Sequence, residues 1–328
     1  MGMKVLLTGA NGFVGSHVLD LLCGRGIPTA VLLRQTSNTW FIQERLSQVE
    51  VRRGTVTDPA SLRAAVGGLT HVIHCAGSTK AVRAAEFEEV NHLGTRHLVD
   101  ALNQAGGQVR RLLFISSLAA GGPAPASAPA REDAAPRPVS AYGRSKLAAE
   151  QALREGCRAE FVILRPPGVY GPRDVEFLRL FRAVKAHLCP VFGGGRAFSL
   201  VFVKDLAEAV LACLTHPAAA GRTYNVAHPE PATTDSMATE IAAQMKTWTL
   251  SLPLPVQALY PVCLAQEALA RLAGRASMLN RDKYAELRAP GWVCDPDRLR
   301  REVGIGCSTT LAAGVAETLA WYRDHHWL

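Results

Sequence analysis

A glycine-spaced segment, Thr8-Gly9-Ala10-Asn11-Gly12-Phe13-Val14-Gly15, stands between an apolar run at residues 4–7 and a helical pattern at residues 12–25. That placement restricts the fold sharply. Gly9 permits a tight turn, Gly12 lets the backbone approach an anion, and Gly15 lets helix and strand pack closely. The helix then presents free N–H groups and the positive end of its dipole to a pyrophosphate. A strand, this turn and a helix in that order are the fingerprint of a dinucleotide-binding βαβ unit.

The pattern beyond it agrees. Strand-like runs at 29–33, 49–52, 71–74, 112–116 and 161–164 alternate with helical patterns at 60–66, 84–105 and 141–155. Such alternation predicts an α/β fold, a Rossmann doubly wound parallel sheet with right-handed crossovers. Past Arg165 the rhythm loosens, with helices expected at 175–187, 206–215, 234–246, 256–273 and 311–324 between Pro- and Gly-rich joints. We expect residues 1–165 to form the dinucleotide-binding domain, with about 197–226 returning to it. Residues 166–328 then form mainly a smaller, mostly helical C-terminal substrate lobe. Residues 118–138, rich in Ala, Gly, Pro and Ser, read either as a plain connection or as a lid near substrate. No internal repeat is visible.

Composition excludes other classes. Of 328 residues, 48% are apolar and 20% charged, which excludes disorder. The 36 Lys and Arg against 28 Asp and Glu give +8, but the arginines are dispersed. A solvated basic surface that draws in an anionic cofactor fits better than a nucleic-acid partner. The eight cysteines show no C-x-x-C spacing, and H-E-x-x-H does not occur, so neither a metal site nor a disulfide framework is expected. With no signal peptide before Met3 and no uninterrupted apolar run of membrane length, we expect a reduced, cytoplasmic protein without a membrane span.

Three further places carry chemistry. Arg34 stands at the end of the second strand, where an acidic residue would bind the adenosine ribose. A guanidinium there suits a 2′-phosphate, favouring NADP over NAD; its alternatives are stacking on adenine or pointing to water. Asp58 either accepts from the adenine amino group or caps the helix that starts at Pro59. Ser116-Ser117 ends a strand, and Tyr142 and Lys146 lie four apart on one helix face. A phenol with a pKa near 10 is a poor base at neutral pH, and a neighbouring ammonium is expected to depress it.

With those residues in hand, the chain resembles the extended short-chain dehydrogenase/reductase family, in its epimerase/dehydratase-like branch. The motifs are Thr8–Gly15, Asp58, His74-Cys75-Ala76-Gly77, Asn91-His92-Leu93-Gly94-Thr95, Ser117, Tyr142 with Lys146, and Arg165-Pro166-Pro167-Gly168-Val169-Tyr170-Gly171-Pro172. The resemblance implies that Tyr142 is the acid/base, Lys146 its modulator and a ribose ligand, and Ser117 the hydroxyl that orients substrate. It places Ala76 and Gly77 in the cofactor cleft, together with Asn11, Phe13 and Val14 of the glycine turn. Pro167 and Val169 would lie near the nicotinamide, and Asn91 would brace the central helix. A homodimer formed through residues 84–105 and 141–155 is also implied.

Two departures bear on the branch. Nucleotide-sugar enzymes of the family usually have Phe-Asn where this chain has Pro167-Gly168, and an arginine where this chain has Phe198. Burying a diphosphate without cations is costly, although Arg196 is near. The pattern is closer to 3β-hydroxysteroid dehydrogenase and dihydroflavonol reductase-like members. Residues 250–272 read either as shelter for an apolar substrate or as ordinary helix core. The expected function is an NAD(P)-dependent oxidoreductase acting on a small carbonyl or secondary alcohol. A nucleotide-sugar epimerase or dehydratase is the alternative, and a non-catalytic NADP-sensing module a further one.

Overall fold

The computed structural model describes residues 2–272 and 280–328. Its first half alternates strand and helix: β1 (Val5–Thr8), α1 (Phe13–Gly24), β2 (Thr29–Leu33), β3 (Glu50–Arg53), α2 (Pro59–Ala65) and β4 (His71–His74). There follow α3 (Ala84–Phe87), α4 (Gly94–Gln104), β5 (Arg111–Ile115), α5 (Leu118–Gly121), α6 (Ala141–Gly156) and β6 (Glu160–Arg165). The second half holds β7 (Gly168–Tyr170), α7 (Leu178–Lys185), β8 (Leu188–Phe192), β9 (Leu200–Phe202), α8 (Val203–Thr215) and β10 (Arg222–Asn225). It ends with α9 (Thr234–Met245), β11 (Leu250–Leu254), α10 (Leu259–Leu272), α11 (Arg281–Arg288), α12 (Asp297–Val303) and α13 (Leu311–Asp324).

Seven strands form one parallel sheet in the order β10-β6-β5-β4-β1-β2-β3. The inner strands are apolar on both sides because both faces are covered. Side chains alternate between the two layers. Leu7 and Leu113 join Leu19 and Leu22 of α1 and Val210 of α8 on one face, while Leu6 and Leu112 join Leu98 of α4 and Leu153 of α6 on the other. A separate core, with Phe181, Phe202, Ile241 and Tyr322 at its centre, holds the C-terminal lobe together. The chain reverses direction across the sheet between β1 and β4, and such a reversal leaves a crevice at the strands' C-terminal ends.

Several elements differ from expectation. The single helix expected over 84–105 is interrupted by a π-helical stretch, Glu88–Leu93. The helix expected over 175–187 begins only at Leu178. Part of the 250–272 stretch forms a strand, β11, parallel to β8; Leu250, Leu252 and Leu254 have the period of two that a strand requires. The helix expected over 256–273 is α10, and Ala273 lies outside the described residues. Residues 118–138 have hydrogen-bond partners elsewhere in the chain. They open with α5 and then run beside residues 291–295, with Ala124 N donating to Gly291 O at 3.0 Å and Ala130 N to Val293 O at 2.8 Å.

Candidate active site

The glycine turn follows β1, beside the crevice. Gly9 has φ +72°, and a Cβ on it would lie 2.6 Å from Ala76 N. A Cβ on Gly15 would lie 2.0 Å from Gly9 O. Both positions therefore require glycine, and the close approach fixes α1 against β4's extension. Gly12 N donates to Gly9 O at 3.0 Å, and no side chain caps α1 at Gly12. The backbone N–H groups of Phe13 and Val14 at that helix start have no intrahelical acceptor and can serve an anion. Phe13 and Val14 are half-buried there, and Asn11 Nδ2 donates to Asn38 O at 3.0 Å, tying this turn to the loop after β2. Gly15→Ala is expected to cost about 3 kcal/mol through overpacking, read as a lower urea midpoint together with lost cofactor binding. An unchanged midpoint would contradict this packing.

Arg34 lies exposed at the end of β2, and Arg53 Nη1 donates to its carbonyl at 3.3 Å. Two guanidinium-bearing residues thus meet where the sequence pointed to one; the pairing of β2 with β3 brings Arg53 in. Asp58 does cap α2, accepting from Ala60 N at 2.9 Å. It is exposed, and its cap leaves its second oxygen for another donor.

Ser117 and Tyr142 meet because α5 and α6 pack closely. A Cβ on Gly143 would lie 2.4 Å from Ala119 O. Ser117 caps α5, accepting from Ala119 N at 3.2 Å, and Ser140 caps α6, accepting from Gly143 N at 3.2 Å. Tyr142 and Ser117 line the same cleft. Burial pushes the phenol pKa up to about 12, and the neighbouring Ser117 side chain pulls it partly back. Lys146 is buried, its Nζ donating to Ile115 O at 2.9 Å and lying 4.8 Å from the Phe114 ring centroid. Burial lowers its pKa to about 8. The expectation that the ammonium depresses the phenol is not met in this arrangement: burial is the largest influence, and it raises the phenol.

A polar scaffold fixes these side chains from behind. Glu150, fully buried one turn after Lys146, accepts from Arg165 Nε at 2.8 Å and Nη2 at 2.7 Å, and from Ser116 Oγ at 2.6 Å. Burial opposes its charge, but Arg165 and then Ser116 outweigh that, and its pKa falls below the ordinary carboxylate value. Asn91, inside the π-helical stretch, accepts from Ser78 N at 2.7 Å and donates to Ser78 O and Ser145 Oγ, each at 3.0 Å. It thereby braces α6 against the segment after β4. π-Helical turns recur at functional sites for such placements.

Ser117 and Tyr142 open onto a cleft of about 560 Å³, a volume suited to a small organic ligand. Pro167 lines it, whereas Val169 packs towards the main core. Much of the wall is apolar: Phe87, Leu118, Phe192, Phe198, Leu287 and Trp292. Its charged residues already have partners. Lys80 pairs with Glu176, Lys283 with Glu286 at 3.2 Å, and Arg196 donates to Leu287 O. Asp282 accepts from Ala141 N at 2.6 Å, adding a carboxylate to the N-terminus of the helix that carries Tyr142. The contributions of α11 and Trp292 had no motif to announce them, since only the tertiary fold brings them to Tyr142.

Comparisons with known proteins fit this geometry. A family profile described as the NAD dependent epimerase/dehydratase family matches residues 5–227. The chain is 28% identical to the ceramide reductase of Caulobacter vibrioides over 325 residues, covering 99% of this chain and 96% of that protein. It is 29% identical to the UDP-glucose 4-epimerase of Vibrio cholerae over 269 residues, 78% of this chain and 80% of that one. Among solved structures, it is similar to the Thermus thermophilus UDP-glucose 4-epimerase in complex with NAD. That similarity has a TM-score of 0.75 and 26% identity, and covers 98% of this chain and 99% of the other.

Proposed function

From the premise that the chain belongs to the NAD dependent epimerase/dehydratase family, we propose that it is an NAD(P)-dependent oxidoreductase for a carbonyl or secondary alcohol of an apolar small molecule. The observation that carries this reading is that Tyr142 and Ser117 line one cleft whose wall is largely apolar. The full-length similarity to a reductase supports it.

The residues present suit a dinucleotide. Gly9 and Gly15 let the turn close tightly on Ala76 and on itself, and Gly12 at the helix start carries no side chain to stand between the backbone and a pyrophosphate. Asn11, Phe13 and Val14 flank it, Asp58 serves the adenine end, and Ala76 and Gly77 line the way to the site. Gly77 lies beside Lys146, where a Cβ would sit 3.2 Å from Nζ and 3.0 Å from Asn91 Oδ1 and would crowd both. Lys146 would hold a ribose of the cofactor, and the backbone at Pro167 and Val169 would border the nicotinamide.

The bound cofactor supplies hydride to the substrate carbon. This chain handles the proton and the oxygen. Ser117 orients the carbonyl by donating to its oxygen, which gains negative charge during reduction. Tyr142 gives its phenolic proton to that oxygen. The apolar wall excludes water from the transfer. The test is a screen of apolar ketones with NADPH and NADH, read as net loss of reduced cofactor; turnover of a nucleotide sugar with no net loss would favour an epimerase instead.

Arg34 and Arg53 support NADP. Charge-assisted bonds to a phosphate contribute about 1.5–3 kcal/mol each, so Arg34→Asp is expected to lower kcat/KM with NADPH by about 10- to 100-fold. Activity with NADH should hold or rise. Equal losses with both cofactors would remove Arg34 from 2′-phosphate recognition.

A further inference from the structure

The small parallel sheet of β8 and β11 has an outward face that no element of the catalytic argument uses. Its register pairs Leu250 with Leu188, Leu252 with Pro190, and Leu254 with Phe192. Because side chains alternate, these six share one face, while Cys189 and Val191 turn inward and are buried. Among the described residues this face stays open: Leu188 is 47% exposed, Leu250 53% and Leu254 38%. Trp248, 64% exposed, extends it at one end, with its ring 4.3 Å from that of His187. At the other end stands Phe192, which lines the catalytic cleft. An apolar ribbon thus runs from an exposed tryptophan to the mouth of the site.

The following helix continues the theme. Val256, Leu259 and Cys263 anchor it against Phe192, Tyr284 and Leu287, while Tyr260, Val262, Leu264 and Leu269 remain exposed. From Thr247 to Ala270 the sequence carries one charge, Glu267. Exposed apolar area on this scale marks an interaction surface.

We propose that this ribbon docks the protein on the surface of an anionic lipid bilayer, so that an apolar substrate can pass from the membrane into the cleft. Two observations choose a bilayer over a second copy of the chain. Trp248 and Tyr260 are the aromatic types that sit at the water–lipid interface. Lys185 and Lys246, both exposed, stand at the Trp248 end and complement anionic headgroups. No described helix is long and apolar enough to cross a membrane, so the contact is peripheral.

Delivery of an apolar substrate rests on the function proposed above, and the test separates the two, because vesicle binding reads the ribbon and cofactor titration reads the cleft. The full chain would be floated with phosphatidylcholine vesicles and with vesicles containing one third phosphatidylglycerol. We expect binding to the anionic vesicles about tenfold above the neutral ones. The triple variant Trp248→Ala/Leu250→Glu/Leu254→Glu should lose at least tenfold of that binding, with circular dichroism and NADPH binding unchanged. Lys246→Glu, which spares the apolar face, should reduce only the preference for anionic lipid. Absence of vesicle binding by the unaltered protein overturns the proposal, as does equal binding by the triple variant. A dimer in gel filtration that the triple variant splits, without vesicle binding, would assign the face to self-association and overturn it equally.

Discussion

Tyr142→Phe is expected to lower kcat by about a thousandfold, within the range that general acid–base groups contribute, while NADPH binds within a few-fold of its original affinity. The substitution removes one oxygen and keeps the ring, so its T-shaped contact with Phe87, 5.9 Å between centroids, survives. Packing is therefore a poor explanation for any loss. What disappears is the phenolic hydroxyl that lines the cleft with Ser117. The readout is reduced-cofactor oxidation with the best ketone from the screen, beside fluorescence titration of NADPH. Retained turnover would remove the phenol from the reaction. Joint loss of binding and turnover would mean that the site itself had collapsed.

Arg165→Leu should destabilise the fold by about 3–5 kcal/mol, since removing one partner leaves a buried charge uncompensated. The pair is deep: Glu150 is 0% exposed and Arg165 4%. Arg154 also reaches Glu150, at 3.1 Å, but from a half-exposed position, and cannot replace two short bonds. Urea unfolding would measure the shift. The double variant Glu150→Met/Arg165→Leu should recover much of it, because buried pairs and apolar residues of similar volume often have similar stability. A single-variant cost below about 0.5 kcal/mol, the range of surface substitutions, would refute this view of the scaffold. Activity should fall with stability, since Glu150 also holds Ser116, next to Ser117.

The architecture was legible wherever local pattern and local chemistry coincide. The glycine turn, the alternating strands and the Tyr142/Lys146 spacing all express constraints between near neighbours. Asp58 was legible as a cap because its proline lies next to it. The remainder depends on contacts between distant segments. Nothing near Arg53 in the sequence says that it will flank Arg34, and nothing near Asp282 says that it will cap α6. The effect of Lys146 on Tyr142 was misjudged for the same reason. Spacing of four puts them on one helix face, but Ile115 O, from a distant strand, takes the ammonium. At β11, prolines obscured a regular alternation; an edge strand tolerates them because it need not donate on its open side.

The position of β10 has a consequence for how the protein is made. This strand completes the sheet beside β6, yet it comes from residues 222–225, after α7, β8, β9 and α8 have been synthesised. Until the ribosome has released that segment, the backbone edge of β6 has no neighbour on that side. An unpaired apolar edge invites association with other nascent chains. The protein is thus most vulnerable to aggregation while roughly two thirds translated, and a chaperone that shields strand edges would matter most in that interval.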